Sequence, residues 1–212
     1  GIFTNLSHDH LDYHKTMKSY LNSKMYLFSN LLKKDSKIIT DEDIEEYKYI
    51  KKISNSKKIK KITIGTKTGK IKILNNKYKQ DKQIVKVSID STIFNLEVSL
   101  IGYFQLKNLF MAILAASTCG LNLTRILNQV HKIKPVPGRL ECVANLNNNS
   151  SIIVDFAHTP EALQSSLLAL KYEFANSGRL FVLFGCGGER DKGKRRVMGE
   201  VAFNFADKVF IT

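Results

Sequence analysis

The stretch "SSIIVDFAHTPEALQSSLLAL", residues 150–170, decides the fold of the second part of the chain. Its apolar run Ile152–Val154 ends in polar residues, which is typical of a buried strand that reaches the edge of a sheet. Thr159 fits a helix N-cap, and Pro160 fits the first helical position. These residues predict a buried strand that passes through a short polar loop into a helix.

The same alternation of strand and helix continues to residue 212. "GRLFVLFG" and "KVFIT" are further apolar strands, and "VMGEVAFNFA" between them has a helical pattern. Near-continuous apolar strands that alternate with helices are typical of a parallel, doubly wound sheet. Such sheets bind ligands at the carboxyl ends of their strands, where Asp155, His158 and the loop 185–196 fall. We therefore predict the start of a Rossmann-like domain.

A domain boundary is predicted at "KPVPGR", residues 134–139, which holds two of the three prolines. Before it, residues 70–101 alternate as an antiparallel hairpin or meander, with Asn75-Asn76 and Asp90-Ser91 as turn signals. The other elements predicted before the boundary are helices at 16–34, 41–54, 106–120 and 123–133 and strands at 36–40 and 60–65. The α/β chain is thus divided into domains 1–136 and 137–212.

The bulk composition narrows the classes of partner. A formal net charge of +14 fits an anionic partner such as nucleic acid. Lysine, isoleucine and asparagine are abundant throughout, however, and we favour this compositional bias as the source of the charge. Three cysteines without CxxC spacing indicate a reduced, cytoplasmic compartment. No apolar run reaches about 18 residues, so no membrane span is predicted.

Lys24 has an unusual place in the predicted helix 16–34. Apolar residues recur at helical spacing and form one face, and Lys24 falls in the middle of that face. The residues of this face are Met17, Tyr20, Leu21, Leu27, Phe28 and Leu31. Burial would lower the pKa of the lysine and favour a neutral amine, which can react with carbon dioxide to give a carbamate. The alternative is a lysine that extends its amine to the helix edge. The spacing alone favours the second interpretation.

Just before this helix, "HDHLDYH" places three histidines and two aspartates in residues 8–14. Asp9 with His10 could offer a carboxylate and an imidazole to a metal or phosphate site. The spacing does not match the ligand spacing of a helical metal motif such as HExxH. A loop whose polar side chains cap the following helix is an equally good interpretation.

The loop "GCGGERDKGKRR" lies between a predicted strand and a predicted helix. Residues 188–194 nearly match the phosphate-binding pattern GxxxxGK[ST], but Arg195 replaces the Ser or Thr that would bind Mg²⁺. The loop still predicts an anion site because its basic residues suit phosphate or carboxylate. "GTKTGK", residues 65–70, has the wrong glycine spacing for a phosphate-binding loop.

Together these segments resemble the Mur ligases, the ATP-dependent enzymes that build the peptide stem of peptidoglycan. The sequences of two of these segments, the first (Phe3–Lys24) and the last (Phe184–Gly199), are most similar to the members that add meso-diaminopimelate. The resembling segments are "FTNLSHDHLDYHKTMKSYLNSK" (Phe3–Lys24), "GYFQLKNLFMAILAA" (Gly102–Ala116), "PGRLECV" (Pro137–Val143) with "VDFAHTPEAL" (Val154–Leu163), and "FGCGGERDKGKRRVMG" (Phe184–Gly199).

The resemblance implies roles for single residues. Lys24 would be carbamylated and, with His10, would hold Mg²⁺ near the γ-phosphate of ATP. Asn108 would contact the adenine side of ATP, and Arg190 would bind the carboxylate of the incoming amino acid. Three residues of the second domain would reach ATP: Arg139, Asp155 and His158.

The resemblance also implies the fold and the activity. Residues 1–136 would be the later part of a central ATP-binding domain, with its P-loop upstream, and residues 137–212 the start of a C-terminal ligase domain with a mainly parallel sheet. The implied reaction joins meso-diaminopimelate to UDP-N-acetylmuramoyl-L-alanyl-D-glutamate through an acyl phosphate, in a cytoplasmic monomer that binds no nucleic acid. We expect this piece alone to be inactive.

Four alternatives to that function stay open. Two are related enzymes: a ligase that adds L-lysine, and a ligase similar to folylpolyglutamate synthetase. A third is a basic binding module without catalysis, and the fourth is a degenerate gene product.

Overall fold

The computed structural model describes residues 1–79, 82–147, 150–174, 178–187 and 193–212. These residues form two compact units. The first unit comprises Gly1–Leu6, His14–Ser99 and Gln105–Ile133, and the second comprises Ser7–Tyr13, Leu100–Phe104 and Lys134–Thr212. In the part of the chain that the structure describes, no helix combines the length and the apolar character that a membrane crossing requires.

The first unit is built on a six-stranded sheet whose strands follow chain order. Its strands are β1 (Ile2–Phe3), β2 (Lys37–Asp41), β3 (Lys60–Gly65), β4 (Ile71–Lys79), β5 (Lys82–Ile89) and β6 (Thr92–Val98). Neighbours from β1 to β4 pair in parallel, and β4, β5 and β6 pair antiparallel. The carboxyl ends of β1, β2 and β3 therefore share one edge of the sheet, where ligands of α/β proteins bind.

The α-helices of the described residues range from 4 to 16 residues in length. They are α1 (Leu11–His14), α2 (Met17–Tyr26), α3 (Tyr47–Lys57), α4 (Tyr103–Thr118), α5 (Leu123–Leu127), α6 (Pro160–Glu173) and α7 (Gly193–Phe205). Two further turns of other helix types lie at Leu27–Leu31 and Val130–Lys132. Gly120 follows α4 with a φ of 100°, a conformation that suits glycine at a helix end.

The predicted helix 16–34 is only partly correct. It ends as an α-helix at Tyr26 and continues as a π-helical turn through Leu27–Leu31. A π turn holds more residues than an α turn, so it rotates the side chains that follow. Met25 and Phe28 enter the core, whereas Leu27 and Leu31, predicted on the buried face, are exposed.

The meander prediction is confirmed, with one wrong turn. Asp90 and Ser91 form the turn between β5 and β6 with φ values of 46° and 69°, as a two-residue hairpin requires. The other turn signal, Asn75-Asn76, lies inside β4. A register shift between Ile73 and Asn75 accommodates the extra residue, and the Asn76 amide donates to the buried Gln83 side chain.

The second unit contains two small sheets and two packed helices. The strands β9 (Phe181–Phe184) and β10 (Lys208–Ile211) pair in parallel, as predicted. The strand β8 (Ser151–Val154) pairs antiparallel with β7 (Glu141–Asn145), a strand that the sequence interpretation missed. Among the described residues, the two pairs form separate ladders and not one continuous sheet. The α/β class predicted for the chain is confirmed, but the prediction that these strands are buried is wrong for the apolar side chains that remain exposed on them, such as Ile152, Phe181 and Leu183.

The core of the second unit lies between α6, α7 and the β9–β10 pair. Helix α6 begins as predicted, because the Thr159 hydroxyl accepts a hydrogen bond from the Ala162 N–H and Pro160 occupies the first turn. The fully or mostly buried residues of this cluster are Leu163, Leu167, Met198, Val201 and Ala202. Burial of the larger of these side chains stabilises the unit by about 1.5–3 kcal/mol each, so packing fixes α6 against α7 and the β9–β10 pair.

Candidate functional site

A strained turn in the second unit holds Arg139. The Arg139 N–H donates to the Val136 carbonyl at 3.0 Å, and the Gly138 N–H donates to the Glu141 carboxylate at 2.7 Å. Gly138 and Leu140 on either side have positive φ values of 69° and 45°. Leucine rarely adopts this conformation, and such strain costs about 1–3 kcal/mol and persists only where the surroundings enforce it. Here the Leu140 side chain is buried, which anchors the turn.

Asp155, at the carboxyl end of β8, ties this turn to the rest of the unit. One carboxylate oxygen, Oδ2, accepts the Leu140 N–H at 2.9 Å. The other, Oδ1, accepts the Ala157 N–H at 2.9 Å and the Ser166 hydroxyl at 3.0 Å. Three elements therefore meet at one carboxylate: the Arg139 turn, the loop after β8 and helix α6. Asp155 was predicted to contact ATP, and most of its acceptor capacity is used within the protein.

Phe156 lies between two of the predicted ATP-contacting side chains. The Arg139 guanidinium carbon is 5.0 Å from the centre of the Phe156 ring, within the range of a cation–π contact. The His158 ring approaches the same phenyl ring edge-on, with centres 5.5 Å apart. The sequence interpretation assigned Phe156 no role. Its position between Asp155 and His158 was the only signal that could have identified it.

The segment Ser7–Tyr13 brings Asp9 and His10 to the same unit. The Asp9 carboxylate accepts the His10 N–H at 2.9 Å and lies 3.4 Å from His10 Nε2. It also lies 3.8 Å from His158 Nε2. His10 has a φ of 55°, and its side chain is largely exposed. The second unit thus gathers His10, Arg139, Asp155 and His158 around Asp9 and Phe156.

Lys24 belongs to the first unit, on α2. The Thr16 hydroxyl caps this helix by accepting the Ser19 N–H. Lys24 is half-buried, and its Nζ donates to the Asn5 carbonyl at 2.9 Å while lying 4.7 Å from the centre of the Tyr20 ring. The amine is therefore held beside the carboxyl end of β1. Its carbamylation stays a prediction.

Asn108 is exposed on α4, as a residue that contacts a ligand must be. Its neighbour Lys107 makes an ion pair with Asp41, a buried residue at the carboxyl end of β2. The ion pair joins α4 to the edge of the sheet where a ligand would bind. The sequence interpretation did not identify Lys107 or Asp41. A buried ion pair is visible only once the helix is placed on the sheet.

The Glu42 carboxylate, directly after β2, accepts several hydrogen bonds, and the sequence interpretation did not identify it. Glu42 accepts hydrogen bonds from Tyr47 at 3.0 Å, Thr63 at 2.6 Å and Thr68. Burial would raise the pKa of Glu42, but these hydrogen bonds and the Lys51 charge together lower it. The pKa of Tyr47 is raised to about 12, by burial first and then by the hydrogen bond to Glu42 and its charge.

The "GTKTGK" segment connects β3 to β4 close to the Glu42 carboxylate. The Thr66 N–H donates to the Asp43 carboxylate at 2.9 Å, and the Thr68 hydroxyl donates to Glu42. A phosphate-binding loop must keep its N–H groups for the anion. Here acidic side chains occupy a backbone donor and a hydroxyl, so the residues do not suit phosphate.

The fit to magnesium depends on chemistry at Lys24. Among the described residues, no group of three or more His, Cys, Asp and Glu side chains is placed to hold a metal ion. An unmodified lysine donates hydrogen bonds and cannot bind a cation, whereas a carbamate would present the oxygen ligands that Mg²⁺ prefers. The unmodified residues therefore do not form a magnesium site. Arg190, predicted to bind the amino-acid carboxylate, lies outside the described residues.

Comparison with known proteins gives the context of these residues. Residues 1–116 match the model of the Mur ligase middle domain, and residues 138–212 match that of the Mur ligase, glutamate ligase domain. One similar protein is a curated protein of Rickettsia bellii named UDP-N-acetylmuramoyl-L-alanyl-D-glutamate--2,6-diaminopimelate ligase. The two are 39% identical over all 212 residues of this chain, and the match covers 44% of the length of the Rickettsia protein.

Solved structures agree with this similarity. A structure of a UDP-N-acetylmuramoyl-L-alanyl-D-glutamate--2,6-diaminopimelate ligase matches 99% of the chain at 31% identity with a TM-score of 0.69, over 42% of that protein. The MurF ligase of Thermotoga maritima in complex with ADP matches 99% of the chain and 47% of its own, with a TM-score of 0.80. At 21% identity it supports the fold alone.

The chain thus spans less than half the length of these relatives. Its two parts, residues 1–116 and 138–212, are matched by models of two domains of one family. The chain belongs to the Mur ligase family.

Proposed function

We propose that the protein of which this chain forms part is an ATP-dependent ligase that adds meso-diaminopimelate to UDP-N-acetylmuramoyl-L-alanyl-D-glutamate. The observation that carries the proposal is the similarity to ligases of that name along the entire chain. The geometry of the second unit supports it, because Arg139 and His158 form one partly exposed group braced by Asp155.

The proposed reaction has two steps. The side-chain carboxylate of the D-glutamate attacks the γ-phosphorus of ATP, which releases ADP and leaves an acyl phosphate. An amine of diaminopimelate then attacks the acyl carbon, and phosphate leaves as the amide forms. Arg139 suits this chemistry because a guanidinium stays charged at any physiological pH and binds phosphate oxygens in a fixed geometry.

Three further assignments belong to the proposal. A carbamate on Lys24 would present oxygen ligands to Mg²⁺, for which the family resemblance implies His10 as a further ligand, and the ion would neutralise charge on the phosphates. Asn108, exposed on α4, contacts the adenine side of ATP. Arg190 binds the carboxylate of the incoming amino acid. The division into domains 1–136 and 137–212, a monomeric state and a cytoplasmic location complete the proposal.

The decisive experiment supplies the complete gene product with ATP, the UDP-linked dipeptide and one amino acid at a time. We expect phosphate release and a product whose mass includes diaminopimelate, and little product with L-lysine. The 212-residue chain alone should give no product. A preference for L-lysine would assign the protein to the lysine-adding ligases, and glutamate transfer to a folate would assign it to the folylpolyglutamate synthetases.

A binding module without catalysis is the second candidate, and the net charge of +14 is the observation that favours it. Its affinity for a polyanion would fall steeply with salt concentration. Binding of one nucleic-acid sequence in preference to others, together with no ligase activity in the complete protein, would replace the proposed function.

A further inference from the structure

We propose that Phe156 is a positioning residue, which holds the Arg139 guanidinium and the His158 ring in the orientation that binds nucleotide phosphate. The inference rests on the proposed function, since that function assigns Arg139 and His158 to ATP. The contacts themselves do not depend on it. The guanidinium lies 5.0 Å from the ring centre, and the imidazole meets the ring edge-on at 5.5 Å and 71°.

The exposure of Phe156 argues against a role in the core. Its side chain is 64% exposed, whereas Leu140, in the adjacent turn, is 1% exposed and belongs to a hydrophobic cluster. Single exposed apolar residues are common on protein surfaces and by themselves need no explanation. Phe156 differs because its ring contacts two side chains that share one predicted ligand.

The backbone on both sides of the contact is fixed by Asp155. Its carboxylate accepts the N–H of Leu140, which follows Arg139, and the N–H of Ala157, which follows Phe156. The two backbone positions are therefore held relative to each other. The long arginine side chain has more freedom than this backbone, and the flat face of the phenyl ring is one contact that restricts it before a ligand arrives.

His158 is restrained from the same residue in a second way. Its Nδ1 lies 3.1 Å from the Phe156 carbonyl oxygen, so both the backbone and the ring of Phe156 touch the imidazole. The other ring nitrogen lies 3.8 Å from the Asp9 carboxylate. The ring orientation is thus set by three contacts, and loss of the phenyl ring removes one of them.

The test compares three variants of the complete gene product: Phe156→Leu, Phe156→Tyr and, as the matched control, Phe203→Leu. Phe203 lies on α7 and is 82% exposed, so it controls for the loss of an exposed aromatic ring. We expect Phe156→Leu to raise the KM for ATP roughly two- to five-fold, the effect of one cation–π contact at an exposed site. Phe156→Tyr keeps the aromatic ring and should have the same KM for ATP as the unmodified protein. Phe203→Leu should also leave this KM unchanged.

A second measurement does not depend on activity. In the 212-residue chain, the ring current of Phe156 should shift the NMR signal of the Arg139 Nε–H, and the shift should persist in Phe156→Tyr and vanish in Phe156→Leu. No ring-current shift in the unmodified chain would overturn the inference.

The outcomes separate this inference from the proposed function. If Arg139→Ala leaves the KM for ATP unchanged, the nucleotide role of Arg139 is wrong, and the proposed function loses its support from this site. If Arg139→Ala weakens ATP use but Phe156→Leu does not, the positioning role is wrong and the proposed function stands. The double variant gives a further test. If Phe156→Leu raises the KM for ATP in the unmodified protein but not in Arg139→Ala, the positioning role is supported, and an equal rise in both proteins refutes it.

Discussion

Substitution of Asp155 tests the brace that holds the candidate site. Its carboxylate accepts the Leu140 N–H on Oδ2, and the Ala157 N–H and Ser166 hydroxyl on Oδ1. Asp155→Ala removes all three acceptor contacts. Asp155→Asn keeps one oxygen, so it can serve either the Leu140 donor or the other two donors, but not all of them.

The magnitude follows from these contacts. A hydrogen bond to a charged group contributes about 1.5–3 kcal/mol, and a buried donor left without a partner costs about 1–3 kcal/mol. Asp155 is only partly buried, the bonds are not additive, and release of the strained Leu140 backbone offsets part of the loss. We expect the free energy of unfolding of this unit to fall by about 2 kcal/mol in Asp155→Asn and about 3 kcal/mol in Asp155→Ala.

The assay is urea unfolding combined with amide hydrogen exchange of the second unit. Protection of the Leu140 and Ala157 amides should fall first in Asp155→Asn, because their acceptor is altered. Asp207→Asn is the matched control, since among the described residues this exposed carboxylate accepts one backbone hydrogen bond, from the Leu180 N–H at 2.7 Å.

The brace would be refuted by a simple result. Suppose that Asp155→Ala lowers the free energy of unfolding by no more than Asp207→Asn and leaves the hydrogen exchange of the Leu140 amide unchanged. The Asp155 carboxylate then does not hold the turn. The position of Arg139 would then need another explanation.

Three further predictions follow from single residues. In medium with ¹³C-bicarbonate, Lys24 in the complete protein should give a carbamate carbon signal that Lys24→Arg lacks; no signal at saturating ATP would exclude the carbamate. The raised pKa of Tyr47, about 12 against about 10 in the unfolded chain, stabilises the fold fully below pH 10, and this stability is lost as pH rises through about 12. Alkaline unfolding should therefore be less pH-dependent in Tyr47→Phe, and equal slopes would show that folding does not raise the pKa of Tyr47. Gly102→Ala should destabilise the protein by about 1–3 kcal/mol in thermal unfolding, because φ is +90° and a Cβ would lie 2.9 Å from the Phe104 ring; an unchanged melting temperature would contradict this.

Local patterns predicted most of the elements correctly. The Thr159-Pro160 start of α6 and the Asp90-Ser91 turn depend on a few adjacent residues, and both are confirmed. The Asn75-Asn76 turn was wrong, because a register shift and the bond to Gln83 let the strand continue. Strand β7 was missed, since its short pattern becomes a strand only by pairing with β8.

Residue types and resemblance identified the candidate site only in part. Arg139, Asp155, His158 and His10 were predicted from the family-like segments, and the structure places all four in the second unit. The contact of Phe156 with Arg139 could not be predicted, because it depends on two turns that are held together by one carboxylate.

The sequence by itself determined the α/β class, the start of α6 and the resemblance to the Mur ligases, because these depend on periodicity, capping residues and motifs within short segments. The tertiary structure alone decided which face of the 16–34 helix is buried, how Asp155 joins three elements, and that Lys107 meets Asp41. The physical reason is range. Caps and turns are set by neighbours in the chain, whereas burial, ion pairs and shared acceptors arise only when distant segments pack together.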